Sequence, residues 1–237
     1  MKTVVPQDMN FDFCADSTFV FDLDGTLVDT APDLIGTLNH VLKGSGLSPR
    51  PLDEIRPYIS FGARRMIAEG LRANGRTLEN AEVDILLADF LTHYEANIAV
   101  ESRPYPGLEP FLEKALKAGA KLAICTNKRE DLSHALIGHL GLAGYFHAVA
   151  GRDTFPVHKP HPDHLTGAID RAGGSRARAI MVGDSETDIA TAKAAGIPVV
   201  AVTFGYSETP VARLSPDRVI DHYDDLHGAI ASIFSKA

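Results

Sequence analysis

Ser17-Thr-Phe-Val-Phe-Asp-Leu-Asp-Gly25 is the stretch from which the fold can be read. A short run of β-formers stops at a glycine, a residue that lets the chain turn at once. Its residues are apolar at successive rather than alternate positions, which marks a strand buried on both faces, as in a parallel sheet. Similar runs follow at Ala120-Lys-Leu-Ala-Ile-Cys125, Arg178-Ala-Ile-Met-Val182 and Pro198-Val-Val-Ala-Val202, with a weaker one at Arg218-Val-Ile220. Helical patterns lie between and after them, at about 107–118, 129–140, 162–172, 186–195 and 224–234. Strand alternating with helix predicts a doubly wound, Rossmann-like α/β core with a parallel sheet.

One region departs from the alternation. From about 31 to 100 the patterns are helical throughout, including Leu34 to Leu42, Arg64 to Leu71 and Ala81 to Ile98. A helical insert is the simplest reading, and Arg103-Pro-Tyr-Pro-Gly107 marks the return to the core with two prolines and a glycine. The expected organisation is an N-terminal tail at 1–16, a core formed by 17–28 and 104–237, and a small α-helical domain at 29–103.

Composition narrows the function. With 237 residues and 45% hydrophobic content the chain can bury a substantial core. A formal net charge of −8 gives no basic footprint for nucleic acid, so no such partner is expected. No run approaches the roughly 20 apolar residues that span a bilayer, and the acidic N-terminal stretch has no apolar leader core. Two cysteines, Cys14 and Cys125, offer no disulfide framework. The expectation is a cytoplasmic protein without a membrane partner, monomeric or homodimeric.

Four segments carry chemistry. Asp22 and Asp24 stand two residues apart where the first strand ends, the position at which open α/β sheets bind ligands. In extended chain they project to one side, and their repulsion asks for a divalent cation or a shared proton. Taken alone, the pair reads equally well as two acids capping a turn. Cys125-Thr-Asn-Lys128 follows the second strand, where the Thr126 hydroxyl and the Asn127 amide could hold phosphate oxygens. Val157-His-Lys-Pro-His-Pro162 offers Lys159, held extended by the next proline. Val182-Gly-Asp-Ser-Glu-Thr-Asp-Ile189 joins strand to helix, and if helix covers it Asp184 and Asp188 face the same way. Each segment has a bland structural reading by itself. Two carboxylates, a hydroxyl, a lysine and two further carboxylates, at predicted strand ends or in loops nearby, do not assemble by chance.

Together the four segments resemble the four motifs of the haloacid dehalogenase-like superfamily. Within it, the insert is similar to the α-helical cap of the phosphoglycolate phosphatase and β-phosphoglucomutase branch. Cys125-Thr-Asn-Lys128, Lys159-Pro-His-Pro162 and Phe204-Gly-Tyr206 look most like bacterial phosphoglycolate phosphatases. The resemblance implies a hydrolase of carbohydrate metabolism that acts on a small phosphorylated metabolite through an aspartyl-phosphate, converting 2-phosphoglycolate to glycolate and phosphate. The alternatives are another small sugar phosphate, pyrophosphate, or a β-phosphoglucomutase-like transfer. It further implies that Asp22 is nucleophile and Asp24 acid and base. Mg2+ would be held by Asp22, the Asp24 carbonyl and Asp184, while Thr126, Asn127 and Lys159 bind phosphate. Asp188 would hold a metal-bound water or orient Lys159. Arg64 and Arg65 of the insert are candidates for a substrate carboxylate, although neighbouring helical positions cannot both face one ligand. His158, His161 and His164 lack metal spacing and are expected at the surface or behind the site. Gly205-Tyr206 is open to two readings, a loop at the site or a contact between copies.

Overall fold

The structure is a computed structural model that describes residues 11–76 and 80–235. In chain order its elements are β1 (Thr18–Phe21), β2 (Val28–Asp29), α1 (Ala31–Gly44), α2 (Leu52–Ile55), α3 (Ala63–Ala73) and α4 (Asn80–Ala96). There follow β3 (Arg103–Pro104), α5 (Leu108–Lys117), β4 (Lys121–Cys125), α6 (Glu130–His139), β5 (Ala148–Ala150) and α7 (Pro162–Arg171). The chain closes with β6 (Ala179–Gly183), α8 (Glu186–Ala195), β7 (Val199–Val202), β8 (Arg218–Ile220) and α9 (Leu226–Phe234).

Six strands form one sheet in the order β5-β4-β1-β6-β7-β8, and every pair is parallel. β1 is central, and its four residues are all buried. Successive positions serve opposite faces. Phe19 and Phe21 pack with Leu122, Ile124, Ile180 and Val182 under α5, α6 and α9, while Val20, Ala123 and Met181 pack on the other face against α7 and α8. A strand with a core on each side needs apolar residues at every position, which explains the unbroken runs in the sequence. The edge strand β5 was not expected. Three small residues at a sheet edge leave no pattern long enough to separate strand from loop.

Register places the site. Phe21 is level with Ile124 on β4 and Val182 on β6, so the residues just beyond these strands emerge at one end of the sheet. The Asp22 amide still donates to the Val182 carbonyl at 2.9 Å, fixing the height of its side chain.

The helical insert spans α1 to α4, joined to the core through an antiparallel pair of two-residue strands, β2 and β3. Asp33, buried at the start of α1, ties the two connections together. Its carboxylate accepts from the Glu101 amide at 2.9 Å, the Ser102 amide at 2.8 Å and the Ser102 hydroxyl at 2.6 Å. The expected tail needs a correction from residue 11 onward. Phe11 and Phe13 pack on the core and Cys14 is fully buried, because the aromatic side chains gain more by packing on α5 and α9 than by solvation. Residues 1–10 of that tail lie outside the described residues.

Asp33→Ala removes the acceptor and leaves buried amides unpaired, an expected loss of about 2–4 kcal/mol in urea unfolding, with Asp33→Asn intermediate. A loss in Asp33→Ala below about 0.5 kcal/mol would show that the tie does not hold the insert.

Candidate active site

Three acids meet beyond the central strands. Asp22, Asp184 and Asp188 are buried, and one carboxylate oxygen of each lies within 4.8 Å of the others. Asp184 does not sit in a helix. α8 begins at Glu186 with Ser185 as its cap, so Asp184 belongs to the turn after β6. That turn is locked from two sides, with the Thr26 hydroxyl donating to Asp184 Oδ1 at 3.2 Å and the Tyr206 amide to Oδ2 at 2.6 Å. Gly25 and Gly205 permit the approach. A Cβ on Gly25, whose φ is +83°, would stand 2.6 Å from Asp184 Oδ2, and one on Gly205 only 2.2 Å from the Asp184 Cβ. Tyr206 thus belongs to the site, and its hydroxyl accepts from the Thr30 amide at 2.7 Å while bonding Asp29 at 2.7 Å.

Lys159 answers part of the negative charge. Its ammonium lies 2.9 Å from Asp22 Oδ1 and 2.5 Å from Asp188 Oδ1. Burial works against that ammonium, but Asp188 and Asp22 outweigh it and hold its pKa above the ordinary value. Asp188 has a second task, since its Oδ2 accepts from the Ser185 amide and hydroxyl in the capping box that starts α8. With both oxygens engaged, Asp188 orients Lys159. His164 holds the loop behind that lysine. Fully buried, it accepts the Lys159 amide on Nδ1 at 3.1 Å and faces the Gly151 carbonyl with Nε2 at 3.0 Å. Burial lowers its pKa to about 4, so the ring is neutral and Nε2 is the donor. Asn127 also serves this loop, its Nδ2 donating to the Lys159 carbonyl at 3.1 Å. His158 and His161 take no part in the cluster.

Asp24 stands apart from the three acids. Its carboxylate receives the Lys128 ammonium at 3.2 and 3.3 Å, and that ammonium also donates to the hydroxyl of Tyr94 on α4 at 2.8 Å. Burial opposes the Lys128 charge, yet Asp24 and Tyr94 keep it protonated. The Thr126 hydroxyl oxygen accepts from the Lys128 amide at 3.2 Å, which leaves its own hydrogen free to donate. The sequence assigns Lys128 no role within Cys125-Thr-Asn-Lys128, and Tyr94 carries no local signal beyond its place in the helical stretch Ala81 to Ile98.

The charge balance of the cluster fits a divalent cation. Four acids, Asp22, Asp24, Asp184 and Asp188, face two buried lysines. Burial first, then neighbouring carboxylates, push the pKa values of Asp22 and Asp184 up, against Lys159. Asp22 Oδ1 is buried without an oriented hydrogen bond. Crowded carboxylate oxygens, of which Asp22 Oδ1 has only the Lys159 ammonium beside it, suit a hard divalent cation.

These groups floor a cavity of about 490 Å3 that opens beneath the insert. Asp22, Asp24, Thr126, Asn127, Lys128 and Lys159 line its base. Arg64 lines the wall, but its guanidinium is paired with Asp84. Arg65 is not among the lining residues. It pairs with Glu69 at 2.9 Å and lies over the Tyr58 ring, as the angle between adjacent helical positions requires.

Comparison with known proteins gives this geometry a family. The chain is 52% identical over 218 residues to a phosphoglycolate phosphatase of Mesorhizobium japonicum, covering 92% of this chain and 96% of that one. To the phosphoglycolate phosphatase of Caulobacter vibrioides it is 43% identical over 220 residues, 93% of each. The crystal structure of a predicted phosphoglycolate phosphatase from Haemophilus somnus superposes with a TM-score of 0.83 at 30% identity, covering 89% of this chain and 96% of that one. A family model described as haloacid dehalogenase-like hydrolase matches residues 19–202, from the first strand through the end of β7. A match that contains the whole cluster of acids and lysines, with relatives alike over almost their full length, means that this chain belongs to the haloacid dehalogenase-like hydrolase family.

Proposed function

We propose that the chain is a magnesium-dependent phosphomonoesterase working through an aspartyl-phosphate on Asp22, with 2-phosphoglycolate as substrate. One observation carries the chemistry: a buried carboxylate, Asp22, opens into the cavity between a lysine and further acids, while Asp24 stands at the same floor on a separate cation. The relatives named phosphoglycolate phosphatase support the substrate.

In this reading an Asp22 oxygen attacks phosphorus as the bond to the leaving oxygen breaks. Asp24 gives that oxygen a proton, releasing the alcohol, here glycolate. Asp24, now a carboxylate, takes a proton from a water that attacks the phosphorus of the acyl phosphate, and inorganic phosphate leaves with Asp22 restored. Lys159 and the Thr126 hydroxyl hold the phosphoryl oxygens, since phosphoryl transfer asks chiefly for positioning and charge stabilisation. Asp22, Asp184 and the Asp24 carbonyl would hold magnesium, which would supply the positive charge that lets an anionic nucleophile meet an anionic ester. Tyr94 brings the insert into the reaction. It completes the setting of Lys128, which in turn holds Asp24, so an insert lying over the cavity keeps the acid in place.

Turnover of 2-phosphoglycolate and p-nitrophenyl phosphate is expected with magnesium, to vanish on chelation and return on its addition. Asp22→Asn should cost at least about a thousandfold in kcat, and undiminished turnover by that variant would refute the nucleophile. Tyr94→Phe keeps the ring and loses the hydroxyl. It is expected to lower kcat about tenfold on 2-phosphoglycolate with KM little changed. On p-nitrophenyl phosphate, whose leaving group needs no proton, the loss should be much smaller. Equal losses on both substrates would mean that Tyr94 is structural only.

A further inference from the structure

The insert presents an apolar wall to the reacting groups. Leu34, Ile59, Met66, Leu87, Phe90 and Leu91 face the same cavity whose floor holds Asp22, Asp24 and Lys159. Four of the six are buried, so the wall is a formed surface and not a loose rim. Of the insert's polar side chains on that wall, Tyr94 is spent on Lys128 and Arg64 on Asp84, while the buried Ser60 hydroxyl has no partner and is one polar point in an otherwise apolar lining.

Size points the same way. A cavity of about 490 Å3 falls in the range, roughly 300–1,000 Å3, that encloses drug-sized ligands, and apolar lining with a few convergent polar groups is the usual composition of such sites. A two-carbon acid ester fills only the polar floor and leaves the wall facing water. The space above the phosphate is continuous with the floor, so its occupant is the organic part of the ester.

We propose that this wall is a leaving-group subsite and that the enzyme also hydrolyses phosphate monoesters of larger apolar alcohols, with alkyl chains of about six carbons. The proposal rests on the phosphatase reading but not on 2-phosphoglycolate as its substrate. The chemistry is unchanged. Asp22 forms the bond to phosphorus as the P–O bond to the alkyl oxygen breaks, Asp24 protonates that oxygen, the alcohol departs, and water completes hydrolysis. Burying the chain against the insert adds binding that a short ester cannot obtain, and each methylene removed from water contributes a similar increment.

The test is kcat/KM for ethyl, butyl, hexyl and octyl phosphate with the native protein and magnesium, beside 2-phosphoglycolate. A rise of about threefold per methylene, near 80-fold from ethyl to hexyl, is expected, flattening once the wall is covered. A second measurement uses Ala63→Phe, which fills the space at the start of α3 and should bring the plateau at a shorter chain. A flat or falling series, with 2-phosphoglycolate still turned over, overturns the subsite and leaves the phosphatase standing. No turnover of any ester, 2-phosphoglycolate included, overturns both.

Discussion

The architecture depends on the contact between Lys159 and two buried carboxylates, Asp22 and Asp188. Charges out of water are costly unless paired and hydrogen-bonded, and removing one partner of such a set strands the rest. The surroundings of Lys159 are built to avoid that outcome. The neutral His164 ring accepts its amide, Asn127 takes its carbonyl, and Asp188 is fixed from behind by the cap of α8. Residues from β1, the β4 turn, the loop after β5 and the β6 turn are all drawn in. Fold and site are therefore not separable here, since the parallel register that levels Phe21 with Ile124 and Val182 brings the charges within reach.

A second ion pair gives the acids different surroundings. Asp22 lies with Asp184 and Asp188, where burial and like charge favour a proton or a cation. Asp24, two residues on, is given its own lysine and faces the cavity. Two carboxylates side by side in sequence thus meet different electrostatics, the usual way for one fold to run different proton chemistry from like groups. The turn that follows Asp24 needs Gly25, because any side chain there would collide with Asp184.

Legibility from the sequence followed the length scale of each signal. The sheet was readable because a strand buried on both faces is apolar throughout, and the insert because helical periodicity persisted over some 70 positions without a strand. Asp22, Asp24 and Asp184 were readable because they sit just beyond strand ends, where topology directs ligands, and Lys159 and Asp188 because they stand in the loop and helix of neighbouring segments. β5 was too short to register. The tasks of Asp33 and Tyr94 were invisible for another reason, and His164 could be placed only at the surface or behind the site. Each acts through a partner distant in sequence, Asp33 on Glu101 and Ser102, Tyr94 on Lys128, and His164 on the backbones of Gly151 and Lys159. An acid in a first helical turn, an aromatic on an apolar face and a histidine among prolines all have commoner explanations, and nothing local distinguishes these three. Arg64 and Arg65 show the converse. Charge alone drew attention to them, and both are engaged by acids of the insert.

The same division of labour explains how one reaction can coexist with an apolar ceiling. The floor is made by the sheet and its turns, which are held by backbone register and buried ion pairs and tolerate little change. The ceiling is made by helices whose polar links to the floor, among the described residues, include Tyr94 to Lys128, Arg56 to the Phe204 carbonyl, and the Thr30 and Ala31 amides to the Tyr206 hydroxyl. Side chains on that ceiling can change size without disturbing the charges beneath, provided the Tyr94 link survives. In the proposed reaction the insert would set selectivity for the organic part of the ester and the core would carry bond cleavage. Lys128 is the point of contact between them, an ammonium from the sheet that is correctly placed only when both an acid of the core and a hydroxyl of the insert are present.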